Sequence, residues 1–268
     1  MPELLPSINH KFPLHHLLVL VAHPDDEAVG CGTLLQRAEN VILVFATDGA
    51  PNDRKFWSGY RSRSEYGWVR RAEAISAASV AGLKQAQFLD IPDQELFRNL
   101  IKAHAEISDI ARRHRPDAIV THAYEGGHPD HDACSFLAWL VGQEHHVPVW
   151  EMPLYHRAES DRVWQQFFTH NAMSDDRSEE VAFTPTPKEL QRKRAMVAAY
   201  ASQGDVLKNF DVTREVFRPQ AAYDFTKPPH EGTLNYEEWR WPMTGREVSR
   251  SFSAMLSNER ANAQGRSR

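Results

Sequence analysis

The 268-residue chain is poor in cysteine, with only Cys31 and Cys134. Two thiols and no Cys-x-x-Cys pair argue against a disulfide framework, and both thiols read as small buried residues rather than metal ligands. A long apolar run is also lacking. The longest, Leu17 to Ala22, is far too short to cross a bilayer, so no membrane span is expected. Met1 to Pro13 contains Pro2, Glu3, Pro6 and Pro13 and no apolar core, so it does not read as a signal peptide, and a cytoplasmic location is expected. Basic excess is absent too: 31 Lys and Arg face 36 Asp and Glu, for a net charge of −5. No global field draws such a chain to nucleic acid or anionic lipid, so neither is expected as a partner. There is no internal repeat and no low-complexity tract.

What remains is the balance of a globular protein, 41% hydrophobic and 25% charged, long enough for one large domain or a domain with an elaboration. Buried strands are expected at Leu14–Ala22, Val41–Ala46, Gln87–Ile91 and Ala118–Thr121. Helices are expected at Ala28–Glu39, Ser64–Gly82, Asp93–Arg115 and Asp130–Gln143. This alternation predicts an α/β fold, a Rossmann-like three-layer sandwich with a mostly parallel sheet. Val147–Tyr155 and Arg162–Phe168 read as an antiparallel pair at a sheet edge, and Thr186–Ala201 as a helix. Residues 1–205 form the expected core. Residues 206–268 form an aromatic, Pro-rich extension, irregular and packed on that core, with a frayed end from Asn258. Its Tyr223, Phe225, Trp239 and Trp241 either roof a pocket or fill a second small core.

Two clusters carry the chemistry. The first, His23-Pro24-Asp25-Asp26-Glu27, follows an apolar run and so falls at the carboxyl end of a strand, where open α/β sheets bind ligands. The second, Gly127-His128-Pro129-Asp130-His131, follows the fourth strand. Either alone reads as a turn and a helix cap, but two copies of His-Pro-Asp beyond strands of one sheet point to a shared metal site. Pro24 holds His23 extended, so His23 and Asp26 at i, i+3 converge, and His131 is the best third ligand. A set of two imidazoles and a carboxylate leaves open positions on a catalytic divalent ion. Asp25 is then free to act as general base on a metal-bound water. His128 is placed to stabilise an oxyanion or protonate a leaving amine, and Asp130 to fix a histidine tautomer from behind. Glu27 caps the following helix or braces the loop.

The ordered series Ala22-His23-Pro24-Asp25-Asp26-Glu27, Gly30-x-Gly32, Thr47-Asp48-Gly49, Arg70-Arg71-x-Glu73, Gly127-His128-Pro129-Asp130-His131 and Tyr200-x-Ser202-Gln203 resembles the LmbE-like (PIG-L) family of zinc-dependent N-deacetylases. The resemblance runs from about His16 to Gln203. It implies zinc held by His23, Asp26 and His131, Asp25 as general base, His128 as the oxyanion or acid group, and hydrolysis of the acetamide of an N-acetylglucosamine-type sugar. It places a substrate-binding arginine at Arg70 or Arg71, against a salt bridge to Glu73 or a solvated helix face. Asp48 meets substrate hydroxyls or caps a turn. The expected partner is a small amino-sugar substrate, and homo-oligomerisation is left open.

Two other readings compete. A sugar-phosphate or nucleotide-binding module without hydrolysis would use Gly30-x-Gly32. However, Leu35 occupies the last glycine position of that fingerprint, and three carboxylates before it would repel a pyrophosphate. A metal phosphoesterase or deaminase would need more ligands or a Cys-x-x-Cys pair.

Overall fold

The computed structural model describes residues 12–159, 161–168 and 180–266, with side chains through 258. The lead-in read at the N-terminus lies largely outside the described residues. In chain order the elements are β1 (His16–Val21), α1 (Asp26–Gly30), α2 (Gly32–Arg37), β2 (Asn40–Pro51), α3 (Arg63–Ala81), β3 (Ala86–Asp93), α4 (Leu100–His114), β4 (Ala118–His122) and α5 (Pro129–His145). They continue with β5 (Val149–Met152), β6 (Tyr155–Ala158), β7 (Asp161–Trp164), β8 (Val181–Phe183), α6 (Pro187–Ala199), α7 (Gly204–Leu207), β9 (Glu215–Pro219), α8 (Asn235–Glu238) and α9 (Gly245–Arg266).

Seven strands form one sheet in the order β3-β2-β1-β4-β5-β9-β8. The first five are parallel, while β9 and β8 add antiparallel at one edge. Strand β1 shows why both faces are covered. Leu18 and Leu20 face one way, against Leu100, Ile107, Phe136 and Val141 of α4 and α5 and Phe252 of α9. Leu17, Val19 and Val21 face the other way, against Leu34, Ala74, Ala77, Ala78 and Met196 of α2, α3 and α6. Every one of these residues is buried. A strand covered on both faces has no polar register, which explains its unbroken apolar run.

Several expectations are corrected. Helix α3 starts at Arg63, because Ser62 caps it by accepting from the Glu65 N–H; Gly82, with φ of 92°, closes it. Asp93 does not open a helix. It ends β3, and a short 3-10 turn at Leu96–Arg98 separates it from α4. The antiparallel edge is not built from residues 147–168. β5 joins the sheet parallel to β4, and β6 pairs with β7 in a separate hairpin. The edge comes instead from β8 and from β9 within the extension. Nor is the extension irregular: it carries α9, helical through Arg266, where fraying was expected from Asn258. Among the described residues, no helix is long and apolar enough to cross a membrane. Cys31 and Cys134 are free and buried.

Candidate active site

The carboxyl ends of β1, β3 and β4 meet at one cavity. Its floor includes His23, Asp25, Asp26, Arg70, Asp93 and His128. The chain leaves β1 through Pro24 into Asp25, whose φ of 132° lies in a region that side chains rarely adopt. Three contacts hold that backbone. Glu27 accepts from the Asp25 N–H at 3.1 Å, Tyr200 donates to Glu27 at 2.5 Å, and Arg70 donates to the Pro24 carbonyl at 2.5 Å. Glu27 thus braces the loop, and burial pushes its carboxyl up to about 8. His128 caps α5, its Nδ1 accepting from the Asp130 N–H at 3.1 Å.

The hydrogen bonds show which ligand atoms are free. Asp130 accepts from the Gln94 and Leu96 N–H groups and stands 3.2 Å from His23 Nε2. That pair puts the His23 proton on Nε2 and turns the Nδ1 lone pair inward. His122 Nε2 is engaged by the Ala22 N–H at 2.9 Å, and burial holds this ring well below the usual histidine range. His128 Nδ1 is likewise occupied, and burial lowers that ring, so its proton sits on Nε2. Asp26 Oδ2 accepts from the His23 N–H. His23 Nδ1, Asp26 Oδ1 and His131 Nε2 carry no hydrogen bond to the backbone. His23 Nδ1 stands 3.3 Å from His131 Nε2 and 3.2 Å from Asp26 Oδ2, and His131 Nε2 stands 3.4 Å from Asp26 Oδ1.

Ligand atoms at about 2.0–2.2 Å from a tetrahedral zinc lie roughly 3.3–3.6 Å apart, so these spacings, with one Asp26 oxygen toward each histidine, are close to those around a divalent ion. Three overlapping groupings, His23-His128-His131, His23-Asp93-His128-Asp130 and Asp26-His122-His131, lie within reach of one ion among the described residues. Each spends one nitrogen on a backbone N–H. The charge fits as well: Asp25, Asp26, Asp93 and Asp130 crowd His23, and a buried excess of carboxylates calls for a cation.

Asp25 stands apart from that triangle. Burial pushes its carboxyl up to about 6, with Asp26 adding and Arg70 opposing. Arg70, 3% exposed, pairs with Asp25 at 3.1 Å, and its Nε and Nη1 have no protein partner. Arg71, one residue on, lies outside the cavity. It binds Asp90 at 2.6 Å and lies over Phe88, while Glu73 binds Ser202. The pairing of Arg71 with Glu73 is therefore not what the structure shows. Asp48 also lies off the cavity, its Oδ2 bound by Arg63 at 2.6 Å and its Oδ1 accepting from the Ala50 N–H.

Sequence reasoning missed Asp93, whose Oδ1 stands 3.3 Å from His23 Nε2 and 3.4 Å from His128 Nε2 without hydrogen-bond alignment. Its histidine neighbours outweigh burial and hold it far below the usual carboxylate range. His122, legible at a strand's carboxyl end but given no role there, stacks on His131 with ring centres 4.0 Å apart. A polar residue ending each strand was the available signal for both. Of the four extension aromatics, Trp239 and Trp241 line the cavity, while Tyr223 and Phe225 pack into the core.

The protein is thus an α/β fold with a mostly parallel sheet and, at its carboxyl edge beside a cavity, a buried His/Asp cluster that could hold a metal ion. Residues 18–141 match the family model PIG-L, GlcNAc-PI de-N-acetylase; the chain carries a PIG-L (LmbE-like) family domain. It is 29% identical over 147 residues to a probable N-acetyl-alpha-D-glucosaminyl L-malate deacetylase 2 of Bacillus cereus, covering 53% of this chain and 66% of that one. Its Bacillus subtilis counterpart is 30% identical over 125 residues, 44% of this chain and 57% of that one. The chain thus spans less than two thirds of these relatives. Among solved structures it resembles the A40926 pseudoaglycone deacetylase Dbv21 (TM-score 0.60, 16% identity, 79% of this chain and 100% of that one). It also resembles the N,N'-diacetylchitobiose deacetylase of Pyrococcus horikoshii (TM-score 0.53, 19% identity, 75% and 76%). At such identities these two share the fold.

Proposed function

We propose that the protein is a metal-dependent hydrolase of an amide bond, removing acetyl from an N-acetylglucosamine-type sugar or its conjugate. The observation that carries this is the convergence of ligand atoms of His23, Asp26 and His131 within 3.4 Å of one another, beside the Asp25 carboxylate, which pairs with Arg70 instead. The PIG-L domain and the deacetylase relatives support the same reaction class. His23, Asp26 and His131 would hold one divalent ion, zinc by the donor set. Bound there, the ion supplies a Lewis acid that acidifies water and polarises the acetyl carbonyl. Asp25, raised toward neutrality and held by Arg70, accepts the proton of the attacking water and later delivers it to the amine. His128, with its proton on Nε2, donates to the oxygen where negative charge develops. Asp130 keeps His23 in the ligating tautomer. Arg70 offers its two unpartnered donors to the substrate.

The test is acetate release from N-acetylglucosaminyl compounds by zinc-loaded protein, with elemental analysis alongside. Activity that survived both chelation and His131→Ala would overturn the reading.

A further inference from the structure

Five aromatic side chains follow one another around the cavity: Phe56, Trp241, Trp239, Tyr155 and Phe210. Adjacent ring centres are 4.8–6.3 Å apart: Phe56–Trp241 6.0, Trp241–Trp239 4.8, Trp239–Tyr155 6.1 and Tyr155–Phe210 6.3 Å. Two members of this arc, on either side of Trp239, lie against the histidines of the site. Trp241 stands edge-on to His128 at 4.9 Å, and Tyr155 stands 5.3 Å from His131. All five rings are half-buried, so each keeps surface toward the cleft.

The two tryptophans are held in place by a built segment. Leu234 and Tyr236 are buried, the Asn235 N–H donates to the Gly126 carbonyl, and Tyr236 donates to Asp132. This docks the segment on the loop that carries His128. Arg240 then takes a φ of 55°, a conformation disfavoured for a side chain. It is exposed, while its two neighbours both line the cavity. Strain of that kind persists where the surrounding structure requires it.

The charge of the cleft narrows what these rings receive. Among the described residues, Arg70 is the sole Lys or Arg lining it, and Asp25 already balances that charge. Arg162 lies against Trp239 and Lys55 against Phe56, and neither is a lining residue. An anionic group entering the cleft would meet three carboxylates, Asp25, Asp26 and Asp93, against the single guanidinium of Arg70, whose charge Asp25 already offsets. Val206 and Leu207 add apolar surface.

We infer that Trp239 and its ring neighbours form a subsite for an uncharged aromatic or apolar aglycone, so that the substrate is an amino sugar carrying such a group rather than a phosphate or carboxylate. This rests on the deacetylase reading for the sugar, but the subsite is tested separately. Zinc-loaded protein would be assayed for acetate release from phenyl N-acetylglucosaminide, N-acetylglucosamine 1-phosphate and free N-acetylglucosamine. In parallel, calorimetry would give Kd for phenyl glucosaminide and glucosamine 1-phosphate, which cannot turn over. The phenyl compounds should lead the phosphates by roughly tenfold in kcat/KM and in Kd, the scale of an aromatic contact with its buried area. Trp239→Ala should collapse that ratio, and Trp239→Phe, which keeps a ring and spares the packing, should retain most of it. Equal or better handling of the phosphates, or a ratio unmoved in both variants, overturns the subsite. No acetate from any compound overturns the deacetylase reading instead, while the binding ratio still decides the subsite.

Discussion

Asp25 and Asp26 are chemically identical neighbours that the backbone sends to different tasks. Asp26 faces His23 and His131, whereas Asp25, turned by its φ of 132°, faces Arg70. Asp26→Ala should therefore lose bound metal, while Asp25→Ala should keep it and lose about 10²–10⁴ in turnover, the range of a general base. Metal content by elemental analysis and kcat by acetate release check this pair; equal metal loss in both would contradict the division. The adjacent arginines divide as well. Arg70→Ala should cost turnover and leave Asp25 without its partner, whereas Arg71→Ala should stay within roughly twofold, since an exposed pair such as Arg71–Asp90 contributes little. The sequence shows both arginines on one helix but not which faces inward, because adjacent helical positions differ by about 100° and the strand that each meets is remote in sequence. His23 and His131 were legible because each sits in a His-Pro-Asp turn beyond an apolar run. Asp93 was not, because a lone carboxylate between a strand and a turn looks like any helix cap.

Elements join through a few buried polar knots. Glu215 of β9 accepts from the Thr33 and Leu34 N–H groups at the start of α2 and from Lys193 of α6 at 2.7 Å, with both charged side chains fully buried. Three elements distant in sequence thus share one carboxylate. Lys193→Met removes one charge and strands the other, so it should cost about 3–5 kcal/mol, read as a fall in denaturant midpoint. Glu215→Gln combined with Lys193→Met should recover part of that loss, and an additive double mutant would show that the two act separately. This knot explains why β9 was invisible in the sequence. Glu215-Val-Phe-Arg-Pro is short, charged at both ends and proline-terminated, so local pattern does not mark it as a sheet strand. Its pairing partners β5 and β8 lie far upstream. By contrast β1, β2 and β4 announce themselves, because burial on both faces writes a continuous apolar run.

At the scale of the whole molecule, residues beyond 205 share the core of those before it. Phe217 packs among Leu17 and Val19, and Phe252 stacks on Phe136 at 4.5 Å. A chain ending at residue 205 would leave β5 without its edge neighbour and α5 without its cover, and should not fold cooperatively by circular dichroism. The same junction sets a pH response. Glu151 of β5, fully buried, accepts from Arg218 of β9 and from Tyr223. Burial outweighs Arg218 and raises this carboxyl from 4.5 to about 7. Below pH 4.5 both folded and unfolded chains hold the proton. Between 4.5 and about 7 the folded chain holds it and the unfolded chain does not, so stability contributed here falls as pH rises. Above 7 the loss is complete, on the order of 3 kcal/mol for a shift of this size. Other groups titrate over the same range, so the useful quantity is the difference between wild type and Glu151→Gln, which carries no proton to lose. The variant should gain on wild type steadily from pH 4.5 to 7 in urea midpoint and run parallel to it above. A gap that stayed constant across that window would show that Glu151 is already ionised in the folded protein at pH 5, with Arg218 rather than burial deciding its charge.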